Sequence, residues 1–278
     1  MTDPDMTCAP ASAGAIGVQA AARTFVGGRS HNEDAVGFES VKADWCCVVS
    51  DGAGGHEGGA IASTVAVECI LTGFRARPVH DPDDLRELIL DAHDAVVAAQ
   101  RQRPANTGQM QATVVVLVID ANVRQAIWGH VGDSRLYLLR RGRIFAITRD
   151  DSVVQWMVES GFIEREAARS HPDKNRLFAA LGMVDDIHPR ISGPPSMLED
   201  GDALLLCSDG WWEYLEDADI EGTFVHAHSP ADWLDAMVQL VAARGKPMQD
   251  NYSAVGVWVG DPSQKTLIQA APSAKQAR

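Results

Sequence analysis

Apolar positions along the chain follow two rhythms. Some lie in short, nearly unbroken runs, and others recur every three or four residues. Trp45–Val49, the valine-rich Thr113–Ile119, Ala203–Cys207 and Ala254–Val259 are runs of the first kind and read as buried strands. Arg124–Val131, Arg135–Leu139 and Ile144–Ile147 follow closely, with Arg141-Gly142 as a turn, and predict an antiparallel meander. The second rhythm is clearest from Pro82 to about Gln102. There Leu85, Leu88, Ile89, Ala92, Val96 and Ala99 share one helical face, Asp81 can cap the start and Pro82 suits the first turn. A second helix has Ser229 as cap, Pro230 at its first position, and Trp233, Leu234, Met237 and Val241 along its inner face, and it ends at Gly245. Gly59–Phe74 is a third candidate, and Ser152–Gly161, Glu164–Arg169 and Asn175–Leu181 suggest shorter helices.

Strands that pair with near neighbours, with helices inserted between groups, favour an antiparallel α+β layering over a parallel fold of alternating strand and helix. The chain has 278 residues, and one domain accounts for most of it. Residues 1–15 and 263–278 are small, polar and lacking in apolar rhythm, and read as loose ends around a domain over residues 16–262.

Composition narrows the function. Hydrophobic residues make up 46% of the chain, enough for a sizeable core. The net charge of −14 disfavours nucleic acid and anionic membranes as partners. The five cysteines lack a CxxC pair, and Cys46-Cys47 lies in an apolar run, which predicts buried free thiols in a reducing compartment. The acidic N-terminus lacks a basic region followed by an apolar stretch, and the apolar run Ala112–Ile119 is far shorter than a membrane span. The expected location is the cytoplasm. No long apolar stripe is left over, which predicts a monomer.

Several aspartates stand where apolar strands end. Trp45–Ser50 runs into Asp51-Gly52, Ala126–Val131 into Gly132-Asp133, and Ala203–Ser208 into Asp209-Gly210, while Asp34 and Asp250 precede strands. Strand ends in one sheet system can gather carboxylates from distant sequence. Such a cluster repels itself unless a cation neutralises it, and oxygen ligands without a Cys/His set favour Mg²⁺ or Mn²⁺. Taken singly, an Asp-Gly after a strand is ordinarily a turn, so the pattern alone leaves turn and ligand both open.

The wording of the motifs goes further. Arg29-Ser30-His31-Asn32-Glu33-Asp34-Ala35, Ser50-Asp51-Gly52-Ala53-Gly54-Gly55-His56 and Gly129-His130-Val131-Gly132-Asp133-Ser134-Arg135 resemble successive motifs of the PPM family, the metal-dependent type-2C protein phosphatases. Ile147-Thr148-Arg149-Asp150-Asp151-Ser152, Cys207-Ser208-Asp209-Gly210-Trp211 and Asp250-Asn251 match the remaining motifs, in the family order, so that the resemblance spans roughly residues 18–260. It implies a four-layer αββα sandwich, a central antiparallel β-sandwich flanked by helices, with metals in a cleft at one end. It implies that Asp34, Asp51, Asp209 and Asp250 hold two Mn²⁺ or Mg²⁺ ions with the Gly52 carbonyl. Asp133 would share a third, weaker ion with Asp209, and Arg29 would grip the substrate phosphate. The implied chemistry is in-line attack on phosphorus by a bridging water that two cations deprotonate near neutral pH.

Some positions depart from the family pattern. Several members carry a histidine directly after the Asp-Gly of the second motif, and here that residue is Ala53. His56, three residues on, is the candidate general acid, set against a turn-stabilising or surface role. Residues 150–181 resemble the family's flap, where Trp156, Met157, Phe162 and Ile163 are expected to pack as a local core, with substrate docking as the alternative. Of the pair Trp211-Trp212, one ring is expected in the core, and an exposed one would hint at a partner site.

The implied function is hydrolysis of phosphoserine and phosphothreonine on proteins, opposing a separate Ser/Thr kinase. The rival is a catalytically silent phosphatase-fold module that binds without turnover, which the full set of metal aspartates disfavours. An unrelated cation-binding protein ranks last, because no EF-hand loop is present.

Overall fold

Strands whose two faces are both buried need cover on both sides, and the central strands here are of that kind. The computed structural model describes residues 5–8, 14–54, 57–103, 110–168, 171–184 and 186–261. In chain order the first elements are β1 (Asp5–Cys8), β2 (Val18–Phe25), β3 (Ala35–Val41), β4 (Asp44–Ser50), the short β5 (Gly52–Ala53), α1 (Glu57–Ala76) and α2 (Pro82–Arg101). Next come β6 (Gln111–Ala112), β7 (Val114–Asp120), β8 (Gln125–Val131), β9 (Arg135–Arg140), β10 (Arg143–Ile147), α3 (Val153–Glu159) and α4 (Arg165–Ala168). The last are β11 (Arg190–Ile191), β12 (Ser196–Met197), β13 (Ala203–Cys207), α5 (Asp209–Trp212), α6 (Asp217–His226), α7 (Pro230–Arg244) and β14 (Tyr252–Val259).

One sheet has the order β1-β2-β14-β13-β9-β10 and the other β11-β8-β7-β4-β3, with β12 also on β8, and all the pairings are antiparallel. Strand alternation divides the apolar side chains among three cores. Cys47, Val49, Val115 and Leu117 meet Leu136, Leu138, Leu204 and Val255 between the sheets. Cys46, Val48, Val114 and Val116 turn outward and are covered by Ala62, Ile70, Leu85 and Ile89 of α1 and α2. Tyr137, Leu205 and Cys207 turn the other way and are covered by Trp211, Phe224, Trp233 and Leu234 of α5, α6 and α7. The result is the four-layer αββα sandwich. Helix α1 has the length and mean apolarity of a membrane span, but Ala62, Ala66, Ile70 and Phe74 are buried in the core against the sheet.

The helix starts follow the sequence. Asp81 accepts from the backbone N–H groups of Asp83 and Asp84, and Ser229 from that of Asp232. Two expectations fail. The meander is divided, because β8 pairs with β7 in one sheet while β9 and β10 pair in the other. The chain changes sheets at Gly132, whose φ of +97 favours glycine. Asn175–Leu181 is not a helix. Leu177 bridges to Ser152, Phe178 N–H donates to the Asp151 carbonyl, and Leu181 pairs with Ala112, so extended partners take the backbone groups a helix would use. Within the segment expected to be a loose N-terminal end, Asp5–Cys8 pairs with Val18–Ala21. Residues 262–278 lie outside the described residues. Among the described cysteines, Cys46, Cys47 and Cys207 are buried and Cys69 half-buried, all as free thiols.

Candidate metal centre

Strand register places the acidic residues. Ala35 pairs with Ser50, which sets Asp34 beside Asp51. Cys207 pairs on one side with Arg135 and on the other with Ala254, which brings Asp209 to the same end as Asp133 and Asp250. Arg29, Asp51, Gly52, Asp133, Asp209 and Asp250 all line one cleft of about 360 Å³ at this end of the sandwich. Asp34 is not among the residues lining the cleft, and the β3–β4 register sets it beside Asp51, which does line it. Gly55 and His56 lie outside the described residues.

The surroundings hold these groups rigidly. Asp51 N–H donates to Thr113 Oγ1 at 3.1 Å, Thr113 N–H donates back to the Asp51 carbonyl at 2.8 Å, and Thr113 Oγ1 also meets Ser134 Oγ at 2.7 Å. Ser208 Oγ donates to Asp34 Oδ2 at 2.8 Å and accepts from Ser253 N–H at 3.0 Å. Gly52 N–H donates to the Glu33 carbonyl at 3.1 Å, and a Cβ on Gly52 would stand 2.2 Å from the Gly59 carbonyl oxygen, so the close approach of α1 requires glycine. Arg29 is half-exposed at the cleft mouth, where its Nη2 donates to Asp250 Oδ2 at 2.7 Å.

Burial raises the proton affinity of these carboxyls, and their mutual repulsion adds to it. Asp34 is pushed up to about 6, mainly by burial, although bonds from Ser253 and Ser208 pull the other way. Asp133 is pushed up to about 7 by burial and the Asp150 charge, against the pull of Arg135. Asp51 rises well above the carboxylate range by burial and then by the charges of Asp34 and Asp209, and Asp209 by burial and then by those of Asp133 and Asp250. Asp34 Oδ1 and Asp209 Oδ1 are buried without a hydrogen-bond partner. Orphaned carboxylate oxygens in an all-oxygen cluster fit hard divalent cations. A separate group of Asp44, His80 and Asp120, with ligand-type atoms within 4.8 Å of one another, lies at the opposite end of β4 and β7.

Several residues of this site were not singled out from the sequence. Asn251 accepts from Glu33 N–H through Oδ1 at 2.8 Å and donates through Nδ2 to the carbonyls of Val26 and His31 at 2.8 and 2.9 Å. It thereby fastens the Arg29–Asp34 loop to β14. Ser208, Thr113 and Ser253 act similarly. Ser208 and Asn251 adjoin aspartates in the sequence, the one local signal for them, whereas Thr113 and Ser253 have no acidic neighbour in the chain. The flap differs from its expected packing, because Trp156 and Phe162 are exposed, their rings tilted against each other with centroids 5.4 Å apart. Trp211 and Trp212 are both buried, so neither offers a partner surface.

Comparison with known proteins agrees with this architecture. The profile described as Protein phosphatase 2C matches residues 26–257. The chain is 29% identical over 221 residues to the protein phosphatase PhpP of Streptococcus pneumoniae, covering 78% of this chain and 88% of PhpP. A serine/threonine phosphatase from S. agalactiae superposes with a TM-score of 0.78 at 27% identity, over 87% of this chain and 99% of that one. The Mycobacterium tuberculosis phosphatase PstP/Ppp gives 0.75 at 28% identity, over 88% and 100%. The catalytic domain of a phosphatase named PstP in complex with two manganese ions gives 0.75 at 26% identity, over 88% and 99%. With its profile matching over most of its length, this chain belongs to the protein phosphatase 2C family of metal-dependent serine/threonine phosphatases.

Proposed function

We propose that the protein removes phosphate from phosphoserine and phosphothreonine side chains of other proteins, with Asp34, Asp51, Asp209, Asp250 and the Gly52 carbonyl holding two Mn²⁺ or Mg²⁺ ions. The observation that carries this reading is the pair of orphaned oxygens, Asp34 Oδ1 and Asp209 Oδ1, within a cleft of carboxyls that repel one another. Divalent cations bound there supply the charge that balances the cluster and lower the pKa of an attacking water. The chain's own groups do the rest. Thr113 and Ser208 fix the carboxylate orientations, and the end of the sandwich opens a cleft wide enough for a phosphorylated side chain. Arg29 stands at the mouth, and its planar fork suits two oxygens of a phosphate dianion. Asp133 and Asp209 share a third, weaker cation site. His56 remains the candidate proton donor to the leaving alkoxide, on its position in the second motif.

The partners of this chemistry are phosphoproteins and a separate Ser/Thr kinase whose work the enzyme reverses. The free buried thiols Cys46, Cys47 and Cys207 support a reducing, cytoplasmic setting. The protein acts as a monomer. The test is phosphate release from a phosphothreonine peptide with Mn²⁺, with Mg²⁺ and with EDTA. Release in either metal and none in EDTA is the expected outcome. A folded protein that stays silent in both metals overturns the reading in favour of a binding module.

A further inference from the structure

Asp133 is held from an unexpected direction. Trp212 lies three residues after Asp209, so that both ride on the single turn of α5. Its indole Nε1 donates to the backbone carbonyl of Asp133 at 3.0 Å. The indole face carries Arg135, whose guanidinium carbon stands 3.5 Å from the ring centroid. Arg135 in turn forms a two-pronged pair with Asp150, at 2.9 and 2.6 Å, and both partners are largely buried. Asp133 itself follows Gly132, where the chain leaves one sheet for the other with a positive φ. A backbone turning through such a point needs an anchor to keep its next side chain in one place. The indole supplies it through the carbonyl of Asp133 rather than through its carboxylate.

We propose that Trp212 is a positioning residue that fixes Asp133 against Asp209, and so sets how tightly these two carboxylates hold a shared cation. The inference rests on the reading of Asp133 and Asp209 as ligands of a third ion. The bond spans the two segments that bear those carboxylates, so losing it alters their relative placement without removing a ligand. Arg135, clamped by Asp150, lies over the face of the ring and keeps the indole N–H aimed at the carbonyl.

The experiment is a Mn²⁺ titration of the full chain by calorimetry, with free Mn²⁺ counted by electron paramagnetic resonance, for wild type, Trp212→Phe and Asp133→Asn. Phe keeps an aromatic face for Arg135 and lacks the N–H donor. The weak-site Kd is expected to rise roughly three- to tenfold, the range set by losing one hydrogen bond, while the two tight ions keep their affinity. At subsaturating Mn²⁺, kcat falls and is restored by added Mn²⁺, and KM for a phosphothreonine peptide is unchanged. In the Asp133→Asn background, Trp212→Phe has no further effect on Mn²⁺ binding. Trp212→Tyr, which also keeps a ring and lacks the indole donor, gives the same shift and guards against a folding defect peculiar to one variant. A Trp212→Phe titration that superposes on wild type overturns the proposal. Parallel weakening of all the ions with a lowered Tm also overturns it, because it marks a merely structural tryptophan. A wild type that binds only two ions removes the third-site reading itself, and the proposal with it.

Discussion

A carboxylate buried beside other carboxylates loses hydration and gains repulsion, and Asp34, Asp51, Asp133 and Asp209 are all in that position. Asp209→Asn keeps the shape and hydrogen-bonding capacity of the side chain but removes the charge. We expect it to abolish turnover while leaving the thermal melt in chelator unchanged or raised, because a source of repulsion is gone. Measurable phosphate release by that variant would remove Asp209 from the centre. The same cluster gives a pH dependence. Unfolded, Asp34 and Asp133 titrate near 3.8, whereas folded they titrate at about 6 and about 7. Below 3.8 both states hold these protons. Between 3.8 and 7 only the folded state does, so stability falls as pH rises through that window. Asp219 shifts the other way, held low by Arg244, and titrates below it. Metal-free protein melted in chelator should therefore lose Tm steadily from pH 4 to pH 7. Saturating Mn²⁺ should erase the trend, because cations favour the deprotonated carboxylates. A flat profile in chelator would mean that the carboxyls are not mutually destabilised.

At the scale of the element, the centre depends on loops being tied to strands. The loop from Val26 to Asp34 has no regular structure of its own, and Asn251 satisfies three of its backbone groups from the start of β14. Asn251→Ala leaves those groups without their partner and frees the segment that carries Arg29 and Asp34. The expected cost is about 1–3 kcal/mol in a urea melt, together with weaker Mn²⁺ binding. Unchanged Mn²⁺ affinity would show that the loop holds its shape without this tie. Elements also show where local pattern misleads. Asn175–Leu181 has helical composition, yet its backbone groups are taken by Ser152, Asp151 and Ala112, partners remote in sequence. The capped helices α2 and α7 matched their sequence signals because Asp81, Ser229 and the prolines act within a single turn.

At the scale of the whole molecule, stability resides in three stacked cores, and the middle one holds the two sheets together. Leu117 lies at its centre, fully buried between the sheets and away from the cleft. Leu117→Ala should cost about 2–5 kcal/mol in a urea melt, while kcat per folded molecule stays unchanged. A loss of kcat without a loss of stability would show that the sheets' spacing tunes the centre directly. The sequence alone determined the antiparallel α+β class, the main strands and capped helices, and the metal-aspartate candidates, because apolar rhythm, caps and motif wording are local properties of the chain. The tertiary structure alone decided that β8 and β9 part into different sheets, that Asn251, Ser208 and Thr113 orient the carboxyls, and that Trp212 reaches across to Asp133. Each of these depends on strand register and on contacts between segments far apart in the chain, and no spacing along the sequence records which face of a strand meets which neighbour.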